Sequence, residues 1–281
     1  MITTRRLTLP APGKLNLFLH VTGRRPDGYH TLESVIVPIA RSDTISLALR
    51  DDGAIMRTRG PSGIAAQDDI AVRAAQLLQR HCAVGQGVAI GIDKRLPIGG
   101  GLGGGSSDAA AVLLGLNRLW GLGVSRRALM ELALELGADV PFFVFGEPAF
   151  ARGIGEQLVA VTLPPTWFTV LTPSIEVPTA DIFSARELTR NSESVKIPIF
   201  SEGYGRNDLY AVAAARFPEI SRCVDALARE ASGARMTGSG ACVYAAFAAE
   251  DAARQALSRM PRGITGFVAR SLARHPLWLY A

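Results

Sequence analysis

From residue 14 to residue 21 the chain alternates strictly: Leu15, Leu17, Leu19 and Val21 fall on one side, and Lys14, Asn16, Phe18 and His20 on the other. A period of two marks a strand with distinct faces, so this stretch predicts a strand whose second face carries functional groups. Pro26, Asp27 and Gly28 supply turn chemistry, and the β-branched residues of 31 to 39 predict a second strand. Tyr29 and His30 then sit near the end of a hairpin-like loop. Ile70, Ala74, Leu77 and Leu78 recur at helical spacing and predict a helix over 69 to 82. Residues 88 to 92 predict a strand running towards Pro97 and a run of glycines.

Residues 106 to 120 are rich in Ala and Leu and open on Ser106, Ser107 and Asp108, residue types that satisfy free amides at a helix start. A second helix runs from a Ser125 cap to a Gly137 stop. Beyond Asp139, the apolar residues 142 to 145 predict a short strand. Pro164 and Pro165 mark a lobe boundary, which gives an N-terminal lobe over 1 to 162 and a C-terminal lobe over 163 to 281. The second lobe is predicted to hold a strand over 168 to 177, helices within 208 to 231, a strand over 236 to 247 interrupted by Gly238-Ser239-Gly240, and a helix over 250 to 260. Strands and helices alternate in both halves. The expected fold is therefore a two-lobe α+β protein with its active site in the cleft between the lobes.

Composition narrows the class. The 281 residues are 48% apolar and 20% charged, enough for a proper core and too apolar for a disordered chain. Cys82, Cys223 and Cys242 are an odd number with no Cys-x-x-Cys pair, which argues against a disulfide framework and for a reducing compartment. The four histidines show no metal-ligand spacing, so no transition metal held by protein ligands is expected. Residues 1 to 10 lack the apolar core of a signal peptide, and the longest apolar run, 241 to 249, is less than half a membrane span. A cytoplasmic protein without membrane partners is the expectation. The net charge of +5 is spread over Arg pairs at 5 and 6, 24 and 25, and 126 and 127. That scatter suits phosphorylated small molecules better than nucleic acid.

The densest chemical signal is Pro97-Ile98-Gly99-Gly100-Gly101-Leu102-Gly103-Gly104-Gly105-Ser106-Ser107, set between a strand and a long helix. Glycines let backbone amides close around phosphate oxygens, and the helix N-terminus adds partial positive charge at the same place. Gly99, Gly101 and Gly104 also fit the dinucleotide pattern G-x-G-x-x-G, but no second strand ending in an acidic residue follows. The Walker pattern fails as well, since Gly13-Lys14 is followed by Leu15. A lone lysine at a strand start is usually a solvated group, and Asp139 alone could simply finish a turn. Together they match what phosphoryl transfer to an alcohol needs: Asp139 to take the hydroxyl proton, and Lys14 to lower the acceptor's pKa and steady the transferring group.

Ala11-Pro12-Gly13-Lys14-Leu15-Asn16, the loop over 97 to 107, and Met236-Thr237-Gly238-Ser239-Gly240-Ala241 resemble, in order, the three motifs of the GHMP kinase superfamily. Gly23 to Leu32 and Gly137 to Phe143 resemble the branch that acts on a cytidine diphosphate-linked methylerythritol in non-mevalonate isoprenoid biosynthesis. The resemblance implies the GHMP kinase fold and an ATP-dependent kinase, with ATP on the glycine loop and Lys14 and Asp139 catalytic. It further implies a cytidine pocket in which Tyr29 and Phe183 sandwich the base while His30 and Asn16 hydrogen-bond to substrate. Aromatic faces stack on a pyrimidine, and a side chain with donor and acceptor atoms reads its edge. Mg2+ is expected to arrive with ATP, with Ser107 and Asp108 nearby. Assembly is expected to be a monomer or weak homodimer. The residues alone leave open another small alcohol as acceptor, and a non-catalytic nucleotide- or RNA-binding protein on the same scaffold.

Overall fold

Two long strands, β1 (Arg6–Arg24) and β2 (His30–Arg50), pair antiparallel along almost their whole length. Both outrun the stretches that alternation marks. Register shifts between Pro12 and Lys14, Asn16 and Phe18, and Val21 and Gly23 re-phase the side chains, and each bulge bends the ribbon. Lys14, Asn16 and His20 are buried along with Leu15 and Leu19 of the opposite face. The computed structural model describes residues 5 to 194 and 205 to 281. Residues 1 to 4, part of the stretch read for a signal peptide, lie outside the described residues.

The chain continues through β3 (Ile55–Arg59), α1 (Ile70–His81), β4 (Gly87–Asp93), α2 (Gly104–Leu119), α3 (Arg126–Leu136), α4 (Val140–Phe145), β5 (Ala149–Arg152) and β6 (Gln157–Ala160). The first sheet runs β3-β4-β2-β5-β6, with β1 paired to β2; β3 and β4 are parallel and the other pairs antiparallel. The helices close over it around α2, whose residues 107 to 117 are all buried. Ser125 caps α3 as the sequence predicts, and Asp69 caps α1, their side chains accepting from the amides of Ala128 and Ala71.

Two expectations are corrected here. α2 begins at Gly104, with Gly103 as its cap in the left-handed conformation, so Ser106, Ser107 and Asp108 occupy the first helical turns and cap nothing. Residues 142 to 145 are helical, not a strand. Pro141 stands in the first turn of α4, where its fixed φ suits a helix, and a four-residue apolar run carries no period that separates strand from helix.

The second sheet, β10-β7-β9-β8, is antiparallel throughout. It follows from β7 (Trp167–Leu171), α5 (Thr179–Ser184), α6 (Tyr210–Arg216), α7 (Pro218–Ala228), β8 (Arg235–Met236), β9 (Val243–Phe247), α8 (Glu250–Ser258) and β10 (Gly266–Arg270). The strand predicted over 168 to 177 stops at Leu171. β10 had no clear signal, because its alternation is only five residues long. β1 reaches into this half: Leu19 N donates to Arg206 O at 3.0 Å, and Tyr244 Oη donates to Asn16 O at 3.0 Å. Leu15, Val37, Leu96, Phe168 and Val170 fill the space between the sheets. At the far end, Leu277 returns to the first core, and Asn117 Nδ2 donates to Tyr280 O at 3.1 Å.

Candidate active site

The three glycine-containing stretches of the sequence meet at the mouth of α2. Lys14 N donates to Leu102 O at 2.9 Å, and Cys242 N donates to Gly100 O at 3.1 Å, so the loop is stitched on one side to β1 and on the other to the β8–β9 turn. Gly101 is at φ +74°, and a Cβ there would lie 2.4 Å from Thr237 O. The turn over 237 to 240 is thus a hairpin and also a wall closed against the phosphate loop. It is held in turn by Asn207, whose Nδ2 donates to Met236 O at 3.0 Å and to Gly238 O at 2.8 Å. The first intrahelical bond of α2 is Ser107 N to Gly103 O. The amides of Gly104, Gly105 and Ser106 therefore face the cleft as anion donors at a helix N-terminus. That cleft measures about 900 Å³ and is lined from both halves of the chain.

Lys14 is 4% exposed, and its ammonium is aimed by two partners. Nζ donates to Asn16 Oδ1 at 2.5 Å and stands 3.6 Å from Asp139 Oδ2. Asn16 is itself fixed: Nδ2 donates to Ser34 Oγ at 2.8 Å, and its backbone amide donates to Thr237 Oγ1 at 3.0 Å. Of the face read from alternation, Lys14 and Asn16 line the cleft, while Phe18 and His20, beyond the bulge, do not and Leu19 of the other face does; Asn16 Oδ1 orients Lys14. Asp139 sits just ahead of α4, and its side chain remains 43% exposed to the cleft. Paired with an ammonium and open on one side, it has what a proton acceptor needs.

A second cluster, unseen in the sequence, lies behind the loop. Lys94 Nζ bridges Asp43 Oδ2 and Asp108 Oδ2, the latter at 2.8 Å. Asp43 Oδ1 accepts from the amides of Arg95 and Leu96, which fixes the approach to the loop. Burial would depress the Lys94 ammonium, but the two carboxylates outweigh it and raise its pKa. Burial pushes Asp108 up to about 7, with Lys94 pulling the other way. Asp108 Oδ1 and Ser107 Oγ are buried polar atoms without a hydrogen-bond partner among the described residues. Hard oxygen atoms left unsatisfied beside a phosphate cradle fit a divalent cation carried in with a nucleotide.

At the other end of the cleft, the turn over 25 to 29 presents Tyr29, 58% exposed. It is closed by Arg25 N to Tyr29 O at 2.7 Å and Tyr29 N to Asp27 Oδ1 at 3.1 Å. His30 begins β2, and Phe183 projects from α5, their ring centroids 5.2 Å apart. Phe183 is thus brought to the same pocket as Tyr29 and His30. Arg190, missed in the sequence, donates from Nε to His30 Nε2 at 2.9 Å. Burial, then the cations Arg190 and Arg24, lower the His30 pKa, so the ring is neutral at pH 7. Among the described residues, no helix is long and apolar enough to cross a membrane.

Residues 69–147 match the family of GHMP kinases, N terminal domain, and residues 190–264 match GHMP kinases, C terminal. A relative named 4-diphosphocytidyl-2-C-methyl-D-erythritol kinase from Thiobacillus denitrificans is 58% identical over 269 residues, covering 96% of each chain. A crystal structure of 4-(cytidine 5'-diphospho)-2C-methyl-D-erythritol kinase superposes with a TM-score of 0.80 at 34% identity, over 94% of this chain and 99% of that one. A homoserine kinase from Cytophaga hutchinsonii superposes at 0.76 with 17% identity, over 98% of this chain and 97% of that one, a likeness of fold alone.

Proposed function

This chain is a member of the 4-diphosphocytidyl-2-C-methyl-D-erythritol kinase family of GHMP kinases, and from that membership we propose that it moves the γ-phosphate of ATP to the 2-hydroxyl of that cytidine diphosphate-linked alcohol. The products are the 2-phosphate and ADP, and the step belongs to non-mevalonate isoprenoid precursor biosynthesis. The observation that carries the residue assignment is the Lys14–Asp139 pair, 3.6 Å apart and facing the cleft beside the phosphate loop.

Asp139 takes the proton of the 2-hydroxyl as its oxygen bonds to the γ-phosphorus and the bond to the ADP oxygen breaks. Lys14, held by Asn16, offsets the negative charge that grows on the acceptor and the transferring group. The amides of Gly104, Gly105 and Ser106 hold phosphate oxygens without needing side chains. Mg2+ arrives with ATP; Ser107 and Asp108 are the side chains that would hold it, and when bound it neutralises phosphate charge. Tyr29 and Phe183 bracket the cytosine, and His30 reads its edge. Every residue given a role here lies on one chain, so the proposed reaction needs no second copy.

The test is ADP release with Mg-ATP and 4-diphosphocytidyl-2-C-methyl-D-erythritol, offered beside mevalonate and homoserine, for the wild type and Asp139→Asn. Turnover confined to the first alcohol is expected, with kcat lowered by about 10² to 10⁴ in the variant. Turnover of another alcohol in its place would sink the substrate assignment, and near-normal kcat in Asp139→Asn would sink the base.

A further inference from the structure

Arg190 spends every donor it has on the cytidine end of the cleft. Nε donates to His30 Nε2 at 2.9 Å, Nη1 to Leu188 O at 3.0 Å and Arg186 O at 3.4 Å, and Nη2 to Ala185 O at 2.5 Å and Phe183 O at 3.1 Å. Four of the five bonds fasten the end of α5 and the turn after it, the segment that carries Phe183. The fifth holds the His30 ring. One guanidinium therefore sets the position of two groups that line the pocket.

The fifth bond also has a chemical consequence. A guanidinium can only donate, so the atom facing it, His30 Nε2, is the ring's acceptor. In a neutral imidazole the proton then resides on Nδ1. Nδ1 makes no hydrogen bond within the protein among the described residues, and His30 lines the cleft beside Tyr29 and Phe183. The pocket thus presents a donor at this point. Cytosine N3 is an acceptor, whereas uracil N3 carries a hydrogen. The other tautomer, with the proton on Nε2, would present an acceptor to the base and suit uracil equally well.

We infer that Arg190 is a positioning residue for base specificity: by donating to His30 Nε2 it locks the Nδ1–H tautomer, which accepts cytosine and rejects uracil. The inference rests on the cytidine-pocket reading above. Without Arg190, His30 is free to exchange tautomers and can pair with either base.

The experiment measures CDP and UDP binding by calorimetry, with the nucleotide site saturated by a non-hydrolysable ATP analogue and Mg2+. It compares the wild type, Arg190→Met and Arg190→Lys, together with ¹⁵N spectra of histidine-labelled wild type. Expected are a pyrrole-like Nδ1 and pyridine-like Nε2 for His30, a CDP preference of about tenfold to a hundredfold in the wild type, and a preference reduced by about tenfold in Arg190→Met. Arg190→Lys retains the preference, since an ammonium still donates to Nε2. An arginine that served only packing would weaken both nucleotides together and leave their ratio unchanged, which overturns the inference. So does an Nε2-protonated ring in the wild type, a spectrum that decides the matter even if Arg190→Met does not fold. A wild type that does not favour CDP removes the cytidine pocket and the inference with it, whereas a preference that survives in a folded Arg190→Met removes the inference alone.

Discussion

Replacing Gly101 by Ala tests whether the phosphate loop works only when pressed against the β8–β9 turn. The new methyl would stand 2.4 Å from Thr237 O and 3.0 Å from Gly240 O. Both are backbone oxygens in a turn pinned by Asn207, so no side-chain rotation relieves the contact. Restoring an ordinary separation of about 3.5 Å moves the loop by about 1 Å. The left-handed conformation adds about 1 to 2 kcal/mol for any residue with a Cβ. If that strain is relieved only by drawing the loop away from its nucleotide-binding position, it converts to about a fivefold to thirtyfold rise in KM for ATP. A 1 Å misplacement of the γ-phosphate lowers kcat by about 10² besides. The assay is steady-state ADP release with ATP varied, beside a thermal melt to establish that the variant is folded. A folded Gly101→Ala enzyme with unchanged KM for ATP and unchanged kcat would refute the claim that the loop's position depends on this contact.

Asn16→Ala removes the acceptor that holds Lys14 Nζ, so kcat should fall by about tenfold or more while KM for the alcohol changes little; a raised KM with intact kcat would instead make Asn16 a substrate contact. His275 supplies a pH test. Burial, then Arg126, bring its pKa down to about 4, while Nδ1 accepts from Leu277 N. A depressed folded-state value means stability that is present above the unfolded value of 6.5 and lost as pH falls towards 4. Going from about pH 7 to about pH 5 should cost about 2 kcal/mol. Denaturant melts across that range should show the slope in the wild type and a shallower one in His275→Asn; equal slopes would mean the ring is not buried neutral.

Much of the site was legible because its residues declare themselves locally. The glycine run precedes a helix, Lys14 stands on an alternating strand, and Tyr29 and His30 end a turn, so each could be read from its neighbours. The residues that were missed act through partners far along the chain. Lys94 meets Asp43 across 51 positions and Arg190 meets His30 across 160, and neither stretch has a pattern that announces the pairing. Asn16 was placed at the substrate by the family resemblance, and it does line the cleft; that its side chain also holds Lys14 and Ser34 is a contact that alternation does not encode. The helix at 140 to 145 was lost for the opposite reason, since burial on all sides erases the period that would have identified it.

The floor of the cleft is tied at several points: Asn16 N to Thr237 Oγ1, Tyr244 Oη to Asn16 O, Lys14 N to Leu102 O and Cys242 N to Gly100 O. The ties at Asn16 and Gly100 cross between the two halves and the one from Lys14 fastens the phosphate loop to β1, so the halves cannot swing apart like a book without dismantling the reactive centre. Adaptation to ligand size is left to the rim at Tyr29, exposed on its short turn, since Arg190 fastens the segment that carries Phe183. For a chemist seeking inhibitors, the floor is therefore a mould of constant shape, and the gain from a rigid scaffold lies there, while substituents that reach the rim meet a surface able to follow them.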